Sequence, residues 1–255
     1  QFGVKWDWDA FWKNAEMYNE SSRCMIEKWD VNCTEHPQVC GAALALQREY
    51  EFMAAACMDK FMLKTDRRVT KMMLKGYEQD KAANAPQPKY RCLVWACPAH
   101  YYTNFTYWTQ HCWGVTCVND MEAMLSYQPI TIGDKEQALA DLVRCYEKMM
   151  MRSHTNGGYV NLLDECWKMC EKFHTNIVIM YDHVSCKNVG GLHGLFEDQA
   201  RERGIHLIWI PHDVMDPRTV SRREMREAFS QYMVTVLNEK PLDPTLLDYE
   251  DTLSW

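Results

Sequence analysis

Four short apolar runs, separated by longer amphipathic segments, limit the fold of this chain more than any other feature. The runs occupy residues 92–97, 115–118, 176–181 and 205–210. Most are continuously apolar rather than alternating, as strands buried on both faces of a sheet are. Strands that alternate with longer helices form βαβ units, so the sequence predicts a parallel sheet.

Helix signals fill the intervals between these runs. Asp134, followed three residues later by Gln137, has the spacing of a capping box and predicts a helix over residues 134–151. Ser221 and Glu224 have the same spacing and predict the last helix. Further helices are expected over residues 101–113, 159–173 and 189–203. Together these elements predict a doubly wound α/β fold.

The chain divides into three parts. Residues 1–85 are predicted to be a helical segment, which ends at a linker rich in alanine and proline. Residues 86–240 are predicted to form the α/β domain. Residues 241–255 form an acidic, proline-interrupted tail that we expect to pack along the surface. Apolar periodicity predicts three helices in the first part, beginning at Asp7 or Asp9, at residue 42 and at residue 66.

Composition excludes several classes of protein. The net charge is −7 at pH 7 without a basic block, which argues against nucleic acid as the main partner. No apolar run reaches the length of about 18 residues that a membrane helix needs, so we expect no membrane partner. The 12 cysteines allow a secreted disulfide protein, but such folds are usually small and rich in loops. Long apolar elements instead favour reduced cysteines and a cytoplasmic location.

Cys186 is the strongest candidate for a working residue. Ligands of an open α/β sheet gather at the carboxyl ends of its strands, and Cys186 lies between such an end and a predicted helix. Free backbone N–H groups at a helix start stabilise a thiolate, which is the form that binds metal or attacks an electrophile. Position alone leaves an inert buried thiol equally open.

Other polar residues follow the predicted strands. His183 is close enough in sequence to serve Cys186 as a base in nucleophilic catalysis, although nothing in the sequence sets their geometry. His100, Tyr101 and Asn104 follow the first strand, where they either line a pocket or cap a helix and pack on the surface.

The remaining cysteines and acidic groups favour structural interpretations. Cys92 and Cys97 lie five apart on a predicted strand, so they should point to opposite faces and not share a metal ion. Cys166 and Cys170 face the same side of a predicted helix, but without a CxxC pair or a nearby histidine we expect core packing. The Asp-Pro-Arg sequence at residues 216–218 is typical of a turn.

Residues 176–236 resemble the C-terminal domain of the benzoyl-CoA reductase and 2-hydroxyacyl-CoA dehydratase family. The resemblance covers nearly the whole chain, and upstream it is closer to the benzoyl-CoA reductase branch. The residues that carry it are the strand at 177–180, the Cys186 loop, the helix end at 199–204, the segment 208–218 and, for the reductase branch, residues 95–106 and 149–158.

The resemblance implies a flavodoxin-like domain and a [4Fe-4S] cluster held by three cysteines, two from a first domain and one from a second. The third cysteine maps onto Cys186, and the other two are expected upstream of Gln1. The chain therefore looks like the C-terminal part of a longer subunit. Cys24, Cys33 and Cys40 fall in what matches the family's interdomain helices, so we do not assign them as ligands.

The function implied by the resemblance is that of a subunit of an ATP-dependent benzoyl-CoA reductase. Its expected partners are a related cluster-bearing sister subunit, ATPase activator subunits that use ATP, a ferredoxin-type donor and the acyl-CoA substrate. His100, His183 and His193 are the candidate catalytic proton donors, with Tyr101 and Asn104 as candidate substrate-binding residues. The alternatives are a 2-hydroxyacyl-CoA dehydratase subunit, a non-catalytic partner subunit, or a hydrolase or methyltransferase on the same fold.

Overall fold

The computed structural model describes residue 3 and residues 5–47, 60–123, 128–147 and 150–248. Within them four parallel strands form one sheet in the order β2-β1-β3-β4. This order is that of a doubly wound sheet, so the predicted fold class is confirmed. The strands are β1 (Tyr90–Trp95), β2 (Val115–Asp120), β3 (Ile177–His183) and β4 (His206–His212).

Some of the described helices precede the first strand and the others follow it, and helices cover both faces of the sheet. Residues 42–47 are also helical, and most of the helix predicted to begin at residue 42 lies outside the described residues. None of the described helices is long and apolar enough to cross a bilayer. The helices are α1 (Trp8–Asn32), α2 (Lys60–Ala82), α3 (Phe105–Trp113), α4 (Lys135–Glu147), α5 (Met150–Lys172), α6 (Lys187–Gly190), α7 (His193–Arg203) and α8 (Arg222–Thr235).

Successive side chains of the strands point alternately into two hydrophobic cores, one on each face of the sheet. Val94 and Ile179 point toward a core that they share with α1, α3 and α8. Their strand neighbours Trp95 and Met180 point to the opposite face, toward α5 and α7. Because both faces are covered, the strands read as continuous apolar runs in the sequence.

The N-terminal helices pack directly against the α/β domain. Met25 and Trp29 of α1 belong to the same core as β1 and β3. At the end of α1, the buried Asn32 side chain donates hydrogen bonds of 2.8 Å to the carbonyl oxygens of Val39 and Val118. Since Val118 lies in β2, this amide ties the helical segment to the sheet.

Several predicted helices have different bounds in the structure. The helix predicted from residue 101 begins at Phe105, because residues 100–104 form turns. The helix predicted over residues 189–203 is two helices, α6 and α7. The helix predicted from residue 159 is part of α5, which kinks at Gly158 with a φ of 71°. Only glycine adopts that backbone conformation cheaply, so the kink follows from the sequence.

The predicted helix caps are confirmed with one exception. Ser221 and Glu224 form the complete capping box of α8. Asp134 Oδ1 accepts from the backbone N–H of Gln137, as predicted, and the described part of α4 reaches Glu147. The side chain of Gln137, however, donates to Asp141 Oδ1 rather than completing a capping box, because that carboxylate lies one turn along the same helix face.

The described part of the tail, residues 241–248, lies along the surface beside α3. The backbone N–H of Leu242 donates to the carbonyl oxygen of Cys112 over 2.7 Å, and Trp108 Nε1 donates to the carbonyl oxygen of Leu246 over 2.9 Å. None of the described cysteines forms a disulfide bond.

Candidate functional site

A pocket of about 360 Å³ lies at the carboxyl ends of β1 and β3. In a doubly wound sheet this is the switch point, where the strand order reverses and ligands bind. The volume lies within the range of ligand pockets. Its apolar wall consists of Trp95, Ala96, Met121, Leu162, Tyr181 and Val189, and its polar side chains are Cys97, His183, Ser185, Cys186 and Asn188.

The chain turns sharply where β1 meets the pocket. Ala96 has a φ of 65°, a left-handed conformation that costs an L-residue roughly 1–2 kcal/mol. Pro98, two residues later, cannot continue a strand ladder. As a result Cys97 leaves the line of the strand and its side chain reaches the pocket wall.

The opposite wall begins with His183, the last residue of β3. Its Nδ1 accepts a hydrogen bond of 3.0 Å from the backbone N–H of Ser185. An accepting Nδ1 means that the neutral imidazole carries its proton on Nε2. Nε2–H is therefore the hydrogen-bond donor of the neutral His183 ring.

Cys186 is held in place by backbone hydrogen bonds on both sides. Its N–H donates to the carbonyl oxygen of His183 over 2.9 Å, and its carbonyl oxygen accepts from Gly190 N–H over 3.1 Å. The side chain is half-buried and lines the pocket. The structure thus brings His183 and Cys186 to one wall of one pocket.

A second histidine lies behind this wall. His212, at the end of β4, is completely buried, and its ring centroid lies 5.4 Å from that of His183. Burial lowers the pKa of His212 from 6.5 to about 4, and the nearby His183 adds to the lowering, while backbone contacts with Cys97 and Asp182 oppose it. His212 is thus a neutral imidazole at physiological pH.

Cys97, His100 and Glu122 form a compact group beside the pocket. One ligand atom from each residue lies within 4.8 Å of the other two, and Cys97 Sγ is 3.7 Å from His100 Nε2. Cys97 and His100 follow β1, and Glu122 follows β2. Adjacent parallel strands end at the same edge of the sheet, which explains why these residues meet.

Three of the predicted site residues lie elsewhere. His193 stacks on Trp209 at 3.6 Å between ring centroids. The Tyr101 hydroxyl donates to the carbonyl oxygen of Val220 over 2.7 Å. Asn104 occupies the N-cap position of α3 without a side-chain cap hydrogen bond. None of the three is among the described residues that line the pocket, and their catalytic or substrate-binding roles stay predictions.

The structural interpretations of the other residues are borne out. Cys166 and Cys170 are buried in the core between α5 and the sheet. The Arg218 guanidinium contacts Asp216 at 2.6 Å and holds the pKa of that carboxyl at about 2, as expected for a turn. Cys92 is buried in the core, whereas Cys97 lines the pocket. The prediction that both lie on one strand and point to opposite faces was wrong, because Cys97 lies beyond the end of β1.

Sequence reasoning missed Glu122. The second strand was predicted to end at residue 118, whereas β2 continues to Asp120. The correct end puts Glu122 two residues beyond a strand, where site residues gather. For the two residues that Glu122 approaches, the sequence did contain a signal. The spacing Cys97-x-x-His100 places a thiol and an imidazole within one turn of chain.

A model of the family described as 2-hydroxyglutaryl-CoA dehydratase, D-component, matches residues 1–233. The chain belongs to this family. No curated protein matches it. The D-component family match agrees with the broader family that the sequence resembles, and its subunits in general bind iron–sulfur clusters and work with a partner component and an ATP-dependent activator.

The pocket can be tested for its fit to such a cluster. Iron–sulfur clusters are held mainly by cysteine thiolates. Among the described residues, the thiols of Cys97 and Cys186 line the pocket, and Cys97 is hydrogen-bonded to His100. An apolar wall of this kind tunes a cluster by keeping water away. The two thiols beside an apolar wall are the kind of lining that one edge of a cluster site needs.

Proposed function

We propose that this chain is a subunit of an ATP-dependent iron–sulfur enzyme of the 2-hydroxyacyl-CoA dehydratase type. The observation that carries the proposal is that Cys186 and His183 both line the switch-point pocket, in a chain of the D-component family. Neither the family nor the fold alone assigns an activity, since many functions share this fold.

Cys186 would hold the cluster from this chain. The resemblance implies three cysteine ligands from two domains, and Cys186 would be the one that this domain supplies. When bound, the cluster would supply low-potential electrons to the thioester of an acyl-CoA. The backbone bonds around Cys186 keep its thiol at the pocket wall whether or not a ligand is present.

His183 would act as the proton donor. Its Nδ1 accepts from Ser185 N–H, so the donor of the ring is Nε2–H. When that proton passes to the departing hydroxide, Nδ1 would take up a proton from solvent, so that the ring stays neutral. Loss of a hydroxyl group from a 2-hydroxyacyl thioester is easier when the departing oxygen receives a proton. Among His100, His183 and His193, the candidates from sequence, His183 is the one that lines the pocket.

The described lining of the pocket supports an uncharged acyl group in the proposed substrate. No lysine or arginine is among the described residues that line the pocket. A second carboxylate, as in a 2-hydroxyglutaryl group, would be buried there without a cation, at a cost of several kcal/mol. We therefore infer a 2-hydroxyacyl-CoA with an aliphatic or aromatic side chain as the substrate.

A benzoyl-CoA reductase subunit is the second candidate. Trp95 and Tyr181 give the pocket aromatic walls, which suit a flat ring. Residues 95–106 also resemble the reductase branch. In either case the proposed partners are a cluster-bearing sister subunit, ATPase activator subunits and a ferredoxin-type donor. A non-catalytic partner subunit would contain no iron of its own.

Metal analysis of the anaerobically purified complex tests the cluster. Iron, sulfide and an EPR signal should be present in the complex and be lost from this subunit in Cys186→Ser. Cys33→Ser is the matched control, because Cys33 is also half-buried but lies at the end of α1. Retention of the signal in Cys186→Ser contradicts the assignment.

Turnover measurements distinguish the candidate reactions. With ATP and a strong reductant, we expect dehydration of an aliphatic 2-hydroxyacyl-CoA, slower reaction of 2-hydroxyglutaryl-CoA, and a fall of at least ~100-fold in His183→Gln. His206→Gln, at the far end of the sheet, is the control. Reduction of benzoyl-CoA with no dehydration would favour the second candidate, and activity without iron would exclude both.

A further inference from the structure

Cys97, His100 and Glu122 together offer three side-chain atoms that can bind a metal ion. We propose that these three residues bind a divalent transition-metal ion, Zn²⁺ in the first instance, at a site separate from the cluster ligand Cys186. In the part of the chain that the structure describes, this is the one place where three such donors converge.

The spacing of the donors suits one ion. Their ligand atoms lie within 4.8 Å of one another, and Cys97 Sγ is 3.7 Å from His100 Nε2. Zn²⁺ lies about 2.0–2.3 Å from each of its ligands. Small rotations of these side chains would therefore close the three donors around a metal ion.

The chemistry of the donors selects the metal. A thiolate, an imidazole and a carboxylate are the three ligand types that Zn²⁺ takes in proteins. Ca²⁺ and Mg²⁺ prefer sites made of oxygen atoms alone, which this group is not. Three protein ligands leave a fourth position open, the pattern of catalytic rather than structural zinc sites.

Backbone hydrogen bonds hold two of the three donor residues, His100 and Glu122, from different sides. His100 N–H donates to the carbonyl oxygen of Val214 over 3.0 Å, which fixes the loop after β1 to the loop after β4. Glu122 N–H donates to Asp120 Oδ1 over 2.8 Å at the end of β2. Such outer contacts orient metal ligands and are part of a built site.

The location gives the metal a chemical role. Cys97 belongs both to the donor group and to the wall of the pocket that contains Cys186 and His183. An ion with an open position there would act as a Lewis acid on an oxygen atom of the bound acyl group. This role goes beyond the proposed function, and the site would exist whether or not the cluster does.

Co²⁺ is a visible substitute for Zn²⁺ and gives the test. After removal of metal with a chelator, titration of the full chain with Co²⁺ should show one ion per chain and a thiolate-to-cobalt charge-transfer band. Zn²⁺ should displace it. Loss of one ligand in Cys97→Ser or Glu122→Gln should weaken binding by more than ~100-fold, which exceeds the effect of losing an outer contact.

Two controls separate this site from the cluster. Cys186→Ser should bind Co²⁺ as the wild type does, and so should Cys33→Ser. Binding that disappears in Cys186→Ser overturns the proposal, and so does binding of unchanged affinity with the charge-transfer band still present in Cys97→Ser. Failure of the cluster assignment leaves this result unchanged, so the two proposals fail independently.

If the variants do not fold, the proposal can still be tested on the unmodified chain. Zn²⁺ should protect Cys97 from alkylation, as mapped by mass spectrometry, while Cys33 stays equally reactive. Equal alkylation of Cys97 with and without Zn²⁺ would overturn the proposal as well.

Discussion

The Lys28 ammonium and the Asp66 carboxylate form an ion pair 3.0 Å long whose two side chains are 2% and 0% exposed. It joins α1 to α2, and Ser21 Oγ donates to the second oxygen of Asp66 over 2.5 Å. Both charges are thus removed from water and satisfied by each other within the helical segment.

Removing one partner of this pair should destabilise the chain strongly. Lys28→Met or Asp66→Asn should lower the free energy of unfolding by about 3–5 kcal/mol, because one buried charge loses its counterpart. Urea unfolding followed by circular dichroism measures this. The double variant Lys28→Met/Asp66→Leu should lose less than either single variant.

An exposed pair is the matched control. Arg223 and Glu227 lie 2.7 Å apart on α8, largely in solvent. Arg223→Met should cost less than about 1 kcal/mol. If both ion pairs lost the same free energy of unfolding, burial would not explain the effect at Lys28.

Asn32→Ala tests whether the helical segment and the sheet unfold together. The Asn32 amide makes four hydrogen bonds to backbone groups, including one to Val118 in β2. We expect a loss of roughly 2–4 kcal/mol in one cooperative transition. Asn19→Ala, which removes two bonds to Ile130, should cost about half as much. Two separate transitions, only one of them shifted, would show independent domains.

Ala96→Gly should leave the stability unchanged or raise it by up to about 1 kcal/mol. Glycine relieves the left-handed conformation at this position, and this gain exceeds the loss of one buried methyl group, about 0.8 kcal/mol. Ala138→Gly, at a buried position inside α4, should instead cost about 2 kcal/mol. Equal destabilisation of both variants, measured by thermal unfolding, would contradict the strain at Ala96.

His212 should make the chain less stable in mild acid. Its pKa is about 4 when folded and 6.5 when exposed, so the unfolded chain binds the proton more tightly. The contribution of neutral His212 to the free energy of unfolding is complete above pH 6.5. It is lost as the pH falls toward 4, by about 3 kcal/mol in total.

The slope of stability against pH measures this contribution. Between pH 7.5 and pH 5, with EDTA present, His212→Leu should show a shallower loss than the wild type. His206→Gln, at the half-exposed start of β4, should keep the slope of the wild type. An unchanged slope in His212→Leu would show that another group is responsible.

Local signals predicted the sheet and its caps well. The apolar runs at β1 and β3 are buried on both faces, which leaves little choice but a covered parallel sheet. The capping box at Ser221 and the left-handed glycine at residue 158 act through neighbouring residues only. Such features are determined within a few residues of chain, and the sequence shows them directly.

The site depended on contacts between distant parts of the chain. His183 and Cys186 lie three residues apart, so their common loop was predictable from sequence. Glu122 approaches Cys97 and His100 only because β2 pairs with β1 in parallel. Strand pairing depends on how whole faces pack, which no local pattern encodes.

The sequence by itself thus determined the fold class, the family and the loop of Cys186. The tertiary structure decided which polar residues share the pocket and which, like His193 on Trp209, are turned toward other partners. The physical reason is that backbone preferences and burial act residue by residue. A site, by contrast, is made where separate strands end side by side.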